Sequence, residues 1–205
     1  MGNLAAEARR AETAGADALH LDIMDGHFVP NLSFGPDVVA MARKATTLPL
    51  SVHLMLTHPN QYIDVFVKAG ADSILIHQEA SCDVTAALAA IRGHNLSAGI
   101  VLNPDTSPEL LRPLIGCFDE VLCMTVHPGY GGQSFIESVL PHIREVRAMI
   151  GEEMSLMVDG GIDATTIGKA AQAGASAFVA GNALYRAKDM AKEIERFRRI
   201  LDFRF

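Results

Sequence analysis

A repeated four-residue phrase constrains the fold of this chain most. Its residues are small, and it is typical of the end of a helix and the start of a strand. It reads Ala-Gly-Ala-Asp at residues 14–17 and 69–72, and it returns as Ala-Gly-Ala-Ser at 173–176. Each copy follows residues with helical spacing and precedes a short apolar run. Glycine just past a helix supplies the left-handed C-cap conformation, and small neighbours let the helix pack closely on a sheet. The repetition therefore predicts repeated strand–helix units.

The rest of the sequence keeps this alternation. Seven strands are predicted, at residues 18–24, 48–55, 73–77, 96–102, 120–126, 155–158 and 177–180. Eight helices are predicted, at residues 3–14, 37–46, 60–69, 84–92, 107–115, 135–150, 164–173 and 194–201. Near-continuous apolar strands between helices indicate a parallel sheet covered by helices.

Two α/β architectures satisfy this pattern, a closed (β/α) barrel and an open doubly wound sheet. The positions of the functional residues separate them. In a barrel these residues lie at the C-terminal ends of many different strands. An open sheet gathers its ligand contacts at one switch point.

Composition limits the functions that the chain can have. At 205 residues it suits a single domain over residues 1–205, and its net charge of −7 argues against a nucleic-acid partner. No apolar run reaches the roughly 18 residues that span a bilayer, so no membrane association is expected. The three cysteines are odd in number and lack a CxxC spacing, which predicts a reducing, cytoplasmic location.

Two polar side chains stand on the first predicted strand. His20 and Asp22 are two residues apart, and alternate side chains of a strand share a face. An imidazole and a carboxylate aimed together from a strand make half of a metal site. A hydrogen-bonded His–Asp pair at a strand end accounts equally well for the spacing.

Two other strands supply further ligand types. His53 lies in the second strand, and Asp159 ends the sixth. A buried core histidine and an ordinary strand-to-helix turn explain each of them alone. Together with His20 and Asp22 they offer two imidazoles and two carboxylates from three strand ends. This set suits one divalent ion, Zn²⁺, Fe²⁺, Mn²⁺ or Co²⁺, with coordination left open for substrate oxygens.

Glycine-rich loops predict a phosphate site. The loop after the fifth strand contains Gly129, Tyr130, Gly131 and Gly132. Glycines ahead of a helix can present backbone N–H groups to a phosphate, although a flexible lid has the same composition. Gly160-Gly161 and Gly181-Asn182 follow the last two strands, where barrels often bind phosphate.

Three methionines, Met24, Met55 and Met124, lie at or near predicted strand ends. Methionines at such spacing are usually core residues. At one level of a barrel they would instead form an apolar cap that excludes water from a carbanion-like intermediate.

These segments resemble the ribulose-phosphate 3-epimerase family, in the family's order and over nearly the whole chain. The resemblance implies a TIM barrel, a divalent metal and a phosphorylated ketose substrate. The implied reaction is the interconversion of D-ribulose 5-phosphate and D-xylulose 5-phosphate, a step of the pentose phosphate pathway. The matching segments are His20–Asn31, Ser51–Met55, His127–Gln133 and Val158–Ile162.

The resemblance also implies roles for single residues. His20, Asp22, His53 and Asp159 match the metal ligands, and Asp22 and Asp159 also match the two acid/base residues. The remaining matches are substrate contacts, in which Asp159 also takes part: His53, Gly129, Tyr130, Gly131, Gly132, Gly160, Gly161, Gly181 and Asn182. We also expect a homo-oligomer.

The sequence departs from the family pattern in two places. The family usually has Ser where this chain has Asn182, so a hydroxyl contact is lost or replaced. Family members also have a Ser-x-Leu-Ser-x-Asp-like strand ahead of the first helix, whereas here Met1 stands directly at that helix. We therefore expect a barrel without its first strand, because of either a misassigned start or a real truncation.

Two alternatives remain at this point. One is an epimerase of a related ketose phosphate, such as allulose 6-phosphate, with the same metal and proton chemistry. The other is an inactive phosphate-binding remnant, left when the first strand was lost.

Overall fold

The computed structural model describes residues 3–202 as strands and helices that alternate along the chain. The strands are β1 (Leu19–Met24), β2 (Leu50–Met55), β3 (Ser73–His77), β4 (Ser97–Leu102), β5 (Glu120–Met124), β6 (Ser155–Asp159) and β7 (Ala177–Val179). The α-helices are α1 (Leu4–Thr13), α2 (Pro36–Ala45), α3 (Ile63–Ala69), α4 (Val84–Gly93), α5 (Leu140–Ile150), α6 (Ile167–Gln172), α7 (Asn182–Tyr185) and α8 (Met190–Asp202). Short 3-10 helices occupy Pro59–Gln61, Pro108–Leu114 and Glu137–Val139.

The strands form one seven-stranded sheet in which every neighbour is also the neighbour in sequence. β1, β2 and β3 pair in parallel, as do β5, β6 and β7. A doubly wound sheet would reverse its order at a switch point, and this order contains no reversal. The seven-stranded (β/α) barrel-type arrangement predicted from the sequence is therefore confirmed.

The helices differ from the prediction at several of their bounds, and two differences change the kind of element. Pro108–Leu114 is a 3-10 helix, although an α-helix was predicted over 107–115. Pro113 lies inside it, and in an α-helix its ring would clash with the carbonyl of residue 109, four positions earlier, which disfavours the α-helix. The four-residue helix α7 lies where a loop was predicted after the last strand.

The chain divides into two compact units, one ending at Gly99 and the other beginning at Ile100. In the first unit, every residue of β2 is buried, as expected for a parallel strand covered on both faces. In the second unit, every residue of β5 is buried in the same way. Among residues 3–202, no helix has both the length and the apolar character that crossing a membrane requires.

A half-buried arginine, Arg43, fixes a corner at the second copy of the repeated phrase. Arg43, on α2, donates to the carbonyls of Thr46 and Leu48 and to Asp72 Oδ2. Leu50 N donates to the same Asp72 oxygen, over 2.8 Å. Gly70 has φ +98°, and a Cβ there would lie 2.7 Å from Arg43 Cγ. The phrase therefore ties helix α2 to the start of β2.

The third copy of the phrase has the same corner with different chemistry. Arg147, on α5, donates from Nε to Gly174 O and from Nη2 to Ser176 Oγ. Leu156 N donates to Ser176 Oγ over 3.0 Å, as Leu50 N does to Asp72. A Cβ on Gly174 would lie 2.8 Å from Arg147 Cγ. A neutral hydroxyl thus replaces the carboxylate of the first unit.

Candidate active site

Two predicted ligands, His20 and His53, converge on one carboxylate oxygen of a third, Asp22, within the first unit. β1 and β2 are in register so that Asp22 lies opposite His53. Asp22 Oδ1 is 3.0 Å from His53 Nδ1 and 3.4 Å from His20 Nε2. The alternation of side chains along β1 therefore does place His20 and Asp22 together, as predicted.

The surroundings of these groups set their charges. Burial alone would raise the pKa of Asp22, but hydrogen bonds from His20 and His53 outweigh it and hold that pKa well below its ordinary value. Burial lowers the pKa of His53 to about 4, despite its hydrogen bond to Asp22. Near pH 7 the site therefore presents an ionised carboxylate beside a neutral imidazole, the forms in which both groups bind metals.

Two serines, which the sequence reasoning did not single out, fix this cluster. Ser51 Oγ lies 3.0 Å from His20 Nδ1 and so orients the ring with Nε2 toward Asp22. Ser33 Oγ donates to the backbone oxygen of Asp22 and accepts from Met24 N, at 2.5 and 3.0 Å. Ser51 stands two residues before His53 on the same strand face, and that spacing was the available signal.

Asp25 fixes the loop that follows β1. Its Oδ1 accepts hydrogen bonds from the backbone of His27 and Phe28, both at 2.8 Å. Its Oδ2 accepts from Thr57 N, also at 2.8 Å, in the segment after β2. Burial opposes these bonds, which nevertheless lower the pKa of Asp25. The Asp25 carboxylate therefore links the C-terminal ends of β1 and β2, the two strands that carry the predicted metal ligands of the first unit.

In the second unit, Asp159 is the last residue of β6 and pairs with Met124 of β5. Thr125 holds the backbone here: its N–H donates to Asp159 O over 2.7 Å, and its hydroxyl contacts the carbonyls of Asp159 and Gly160. Thr125 is fully buried and was not singled out from the sequence. It fixes the strand end at the point where the chain turns into Gly160-Gly161.

Three of the predicted ligands lie in the first unit, where His20, Asp22 and His53 each offer one ligand atom to a metal ion. Ring nitrogens and carboxylate oxygens are the donors that borderline divalent metals accept. The residues of the first unit therefore fit such an ion, and the part of Asp159 as a fourth ligand stays a prediction.

The glycine loops of the second unit lie close to one another. A Cβ on Gly132 would lie 2.8 Å from Asn182 Nδ2, and one on Gly131 would lie 3.8 Å from the same atom. Gly161 has φ +65°, and its Cβ would lie 2.5 Å from the backbone nitrogen of Phe135. A backbone approach thus joins the segment after β5 to the loop after β6, and the Asn182 side chain joins it to the segment after β7.

The remaining predicted residues of these loops take different positions. Gln133 Nε2 donates to the carbonyls of His127 and Tyr130 and so holds the loop turned on itself. Tyr130 itself is exposed, and Gly129 has φ +125°. A Cβ on Gly160 would meet Val126, whereas Gly181 has open space around its Cα.

The methionines lie at strand ends as predicted. Met24 and Met55 are the last residues of β1 and β2 and are paired in register. Met124 is the last residue of β5. Met55 and Met124 are buried, while Met24 is partly exposed. Their role as an apolar cap stays a prediction.

Curated relatives share close sequence similarity with this chain. A ribulose-phosphate 3-epimerase of Bacillus subtilis (strain 168) is 44% identical over 196 residues, which cover 94% of this chain and 90% of the relative. A ribulose-phosphate 3-epimerase of Rhodobacter capsulatus is 42% identical over 181 residues, covering 88% of this chain and 79% of the relative.

Solved structures of lower identity share the fold. A 3-hexulose-6-phosphate synthase is similar with a TM-score of 0.70 and 20% identity, covering 97% of this chain and 93% of that one. A thiamine phosphate pyrophosphorylase of Pyrococcus furiosus has a TM-score of 0.68 and 17% identity, covering 97% and 89%. The model of the Ribulose-phosphate 3 epimerase family matches residues 1–185. The chain therefore belongs to the ribulose-phosphate 3-epimerase family.

Proposed function

We propose that this protein interconverts D-ribulose 5-phosphate and D-xylulose 5-phosphate, by moving a proton at C3 of the sugar. The observation that carries the proposal is the convergence of His20 Nε2 and His53 Nδ1 on Asp22 Oδ1. Family membership supports epimerase chemistry. The ligand cluster supports the finer statement that the reaction depends on a divalent metal.

In the proposed mechanism two carboxyl groups work on opposite faces of the substrate. Asp22, ionised near pH 7, removes the C3 proton, and the carboxylic acid form of Asp159 returns a proton to the other face. The reverse reaction exchanges the two roles. Both carboxyl groups are held at strand ends. This favours their roles as base and acid, since each must stay within hydrogen-bond distance of the carbon that it protonates or deprotonates.

An aspartate carboxylate is a weak base, so the C3 proton must be made more acidic. A divalent metal held by His20, Asp22, His53 and Asp159 would supply this, by stabilising the negative charge that develops on the substrate oxygens of the enediolate. Zn²⁺, Fe²⁺, Mn²⁺ and Co²⁺ all suit the donor set. Met24, Met55 and Met124 would keep water from the reacting carbon.

We assign the phosphate of the substrate to the glycine loops of the second unit. The residues that would contact it through backbone N–H groups are Gly129, Gly131, Gly132, Gly160, Gly161, Gly181 and Asn182. Tyr130 is exposed on the same loop and would close over the bound sugar. The close approach of Gly132 to the Asn182 amide favours this assignment, because it brings two of these loops to one point.

The other predictions from the sequence belong to the same proposal. We expect a single functional domain over residues 1–205, a homo-oligomer and a place in the cytoplasm. The three free cysteines, Cys82, Cys117 and Cys123, agree with a reducing compartment. An epimerase of a longer ketose phosphate would use the same residues, so direct comparison of the two substrates is part of the test.

The test follows exchange of the C3 proton with deuterated solvent, in metal-loaded protein supplied with D-ribulose 5-phosphate. Wild-type protein should exchange and epimerise, whereas Asp22→Asn and Asp159→Asn should each lose turnover and still bind the substrate. Asp64→Asn is the matched control, because Asp64 also contacts a histidine, His94, on the exposed surface. Wild-type rates in either active-site variant would contradict the mechanism, and absence of exchange in folded, metal-loaded wild-type protein would favour the inactive remnant.

A further inference from the structure

We propose that His77 and Glu79 are positioning residues that hold the His53 ring in the form able to bind the metal. This inference rests on the proposed function, because it concerns the same metal ligand. His53 Nε2 lies 2.8 Å from His77 Nε2, and His77 Nδ1 lies 3.2 Å from Glu79 Oε2. Both imidazoles are fully buried, and the Glu79 side chain is 25% exposed.

The number of N–H protons available to these contacts determines which atom donates in each of them. Three contacts link Asp22 Oδ1 to Glu79 Oε2 through the rings of His53 and His77. Each contact needs one proton, but two neutral imidazoles bring only two N–H groups. One contact therefore joins two lone pairs unless a cation occupies it.

A metal ion supplies that cation at the Asp22 end of the chain. Coordination requires a free lone pair on His53 Nδ1, so the His53 proton must sit on Nε2. His53 then donates to His77 Nε2, and His77 donates from Nδ1 to Glu79. A carboxylate can only accept a hydrogen bond, so Glu79 requires the His77 proton on Nδ1. The His53 proton then lies on Nε2, and Nδ1 of His53 is left free to bind the metal.

The surroundings keep the His77 ring in place. The rings of His53 and His77 lie 4.9 Å apart with an angle of 24° between their planes, and Phe28 covers His77 at 4.6 Å. Phe28 is held by the Asp25 carboxylate described above. The loop after β1 therefore supports the metal ligand of β2 through a ring carried by β3.

The experiment measures the dissociation constant for Co²⁺ by competition with a chelator, in the full-length protein. The variants are Glu79→Gln, His77→Leu and His77→Gln, with Asp64→Asn as a carboxylate control outside the site and His53→Gln as the ligand control. Loss of an outer-shell partner typically weakens metal binding by about 10- to 100-fold, and we expect Glu79→Gln at the lower and His77→Leu at the upper end of that range. Asp64→Asn should bind Co²⁺ as the wild type does.

His77→Gln separates positioning from packing. Its amide oxygen can accept from His53 Nε2, so it should recover most of the affinity that His77→Leu loses. Nitrogen-15 spectra of the Zn²⁺-loaded wild type should show the His53 proton on Nε2. In Glu79→Gln the new amide can donate a hydrogen bond to His77 Nδ1. The two rings can then donate in the opposite direction, toward Asp22, so the spectra of this variant should show a mixture of tautomers.

Unchanged Co²⁺ affinity in both Glu79→Gln and His77→Leu, with weakened binding in His53→Gln, would overturn this inference alone. Equal loss in His77→Gln and His77→Leu, with the wild-type tautomer kept in Glu79→Gln, would also overturn it in favour of a packing role. Unchanged affinity in His53→Gln would overturn the metal site of the proposed function itself.

Discussion

The two units of the chain carry different kinds of candidate site group. The first carries its chemistry on side chains: two imidazoles and a carboxylate stand on β1 and β2 and are oriented by Ser51, Ser33 and Asp25. The second offers mostly backbone, in glycine loops whose close approaches leave little room for a Cβ. Apart from Asp159, whose proposed role is chemical, we therefore expect substitutions to affect chemistry in the first unit and binding or folding in the second.

The largest effect should come from Asp22→Asn. The amide cannot take the C3 proton, and general-base contributions of this kind amount to about 10²- to 10⁴-fold in rate. We expect kcat to fall by about 10³-fold while inorganic phosphate still competes with substrate as it does for the wild type. Steady-state kinetics with phosphate as inhibitor measure both. A weakened phosphate site with unchanged kcat would reverse the proposed division between the units.

Gly161→Ala should have the next largest effect, and should act on folding. Its φ is +65°, and the new Cβ would lie 2.5 Å from the backbone nitrogen of Phe135, which cannot move aside as a flexible side chain can. Backbone strain and overpacking of this kind cost about 3 kcal/mol in the free energy of unfolding. Urea denaturation measures the loss. Gly93→Ala is the control, because no atom lies within 4 Å of its Cβ position and it should not destabilise.

The stability of the metal-free protein should fall as the pH drops from about 6.5 to about 4. Burial holds the pKa of His53 near 4 in the folded state, whereas an unfolded histidine titrates near 6.5. Within that window the unfolded chain binds a proton that the folded chain excludes, so lower pH favours unfolding, by at most about 3 kcal/mol. Urea denaturation across the window measures the slope. His53→Gln should flatten it, and an unchanged slope in that variant would assign the effect to other groups.

Gly132→Ala should have the smallest effect. Its Cβ would press on the end of the Asn182 side chain, which can move, although the φ of +82° adds strain. We expect KM to rise by about 10-fold, equivalent to about 1.4 kcal/mol, with little change in kcat. Adding Asn182→Ser should recover part of the loss by relieving the contact. A fall in kcat with unchanged KM would contradict this prediction, because the loop would then act in the chemical step and not in binding.

The sequence predicted what depends on local periodicity. Alternation along β1 placed His20 beside Asp22, and the repeated phrase located the strand starts. Tertiary contacts were beyond such reasoning: Thr125 reaches Asp159 across 34 residues, and His77 reaches His53 across 24. The His77-x-Glu79 spacing does repeat the His-x-Asp pattern of β1, so that signal was present. The α-helix predicted over 107–115 was wrong because it did not take account of Pro113, which was the available signal for the 3-10 helix at Pro108–Leu114.

The two arginine corners have a consequence for the ancestry of the chain. Gly174 follows Arg147 by 27 residues, and Gly70 follows Arg43 by the same interval. The whole corner recurs after 104 residues, about half the length of the chain. Duplication of a segment of about that length would produce this spacing, with the Asp72-to-Ser176 difference arising later. The cluster of His20, Asp22 and His53 and the glycine loops of the second unit would then be separate specialisations of two copies that began alike.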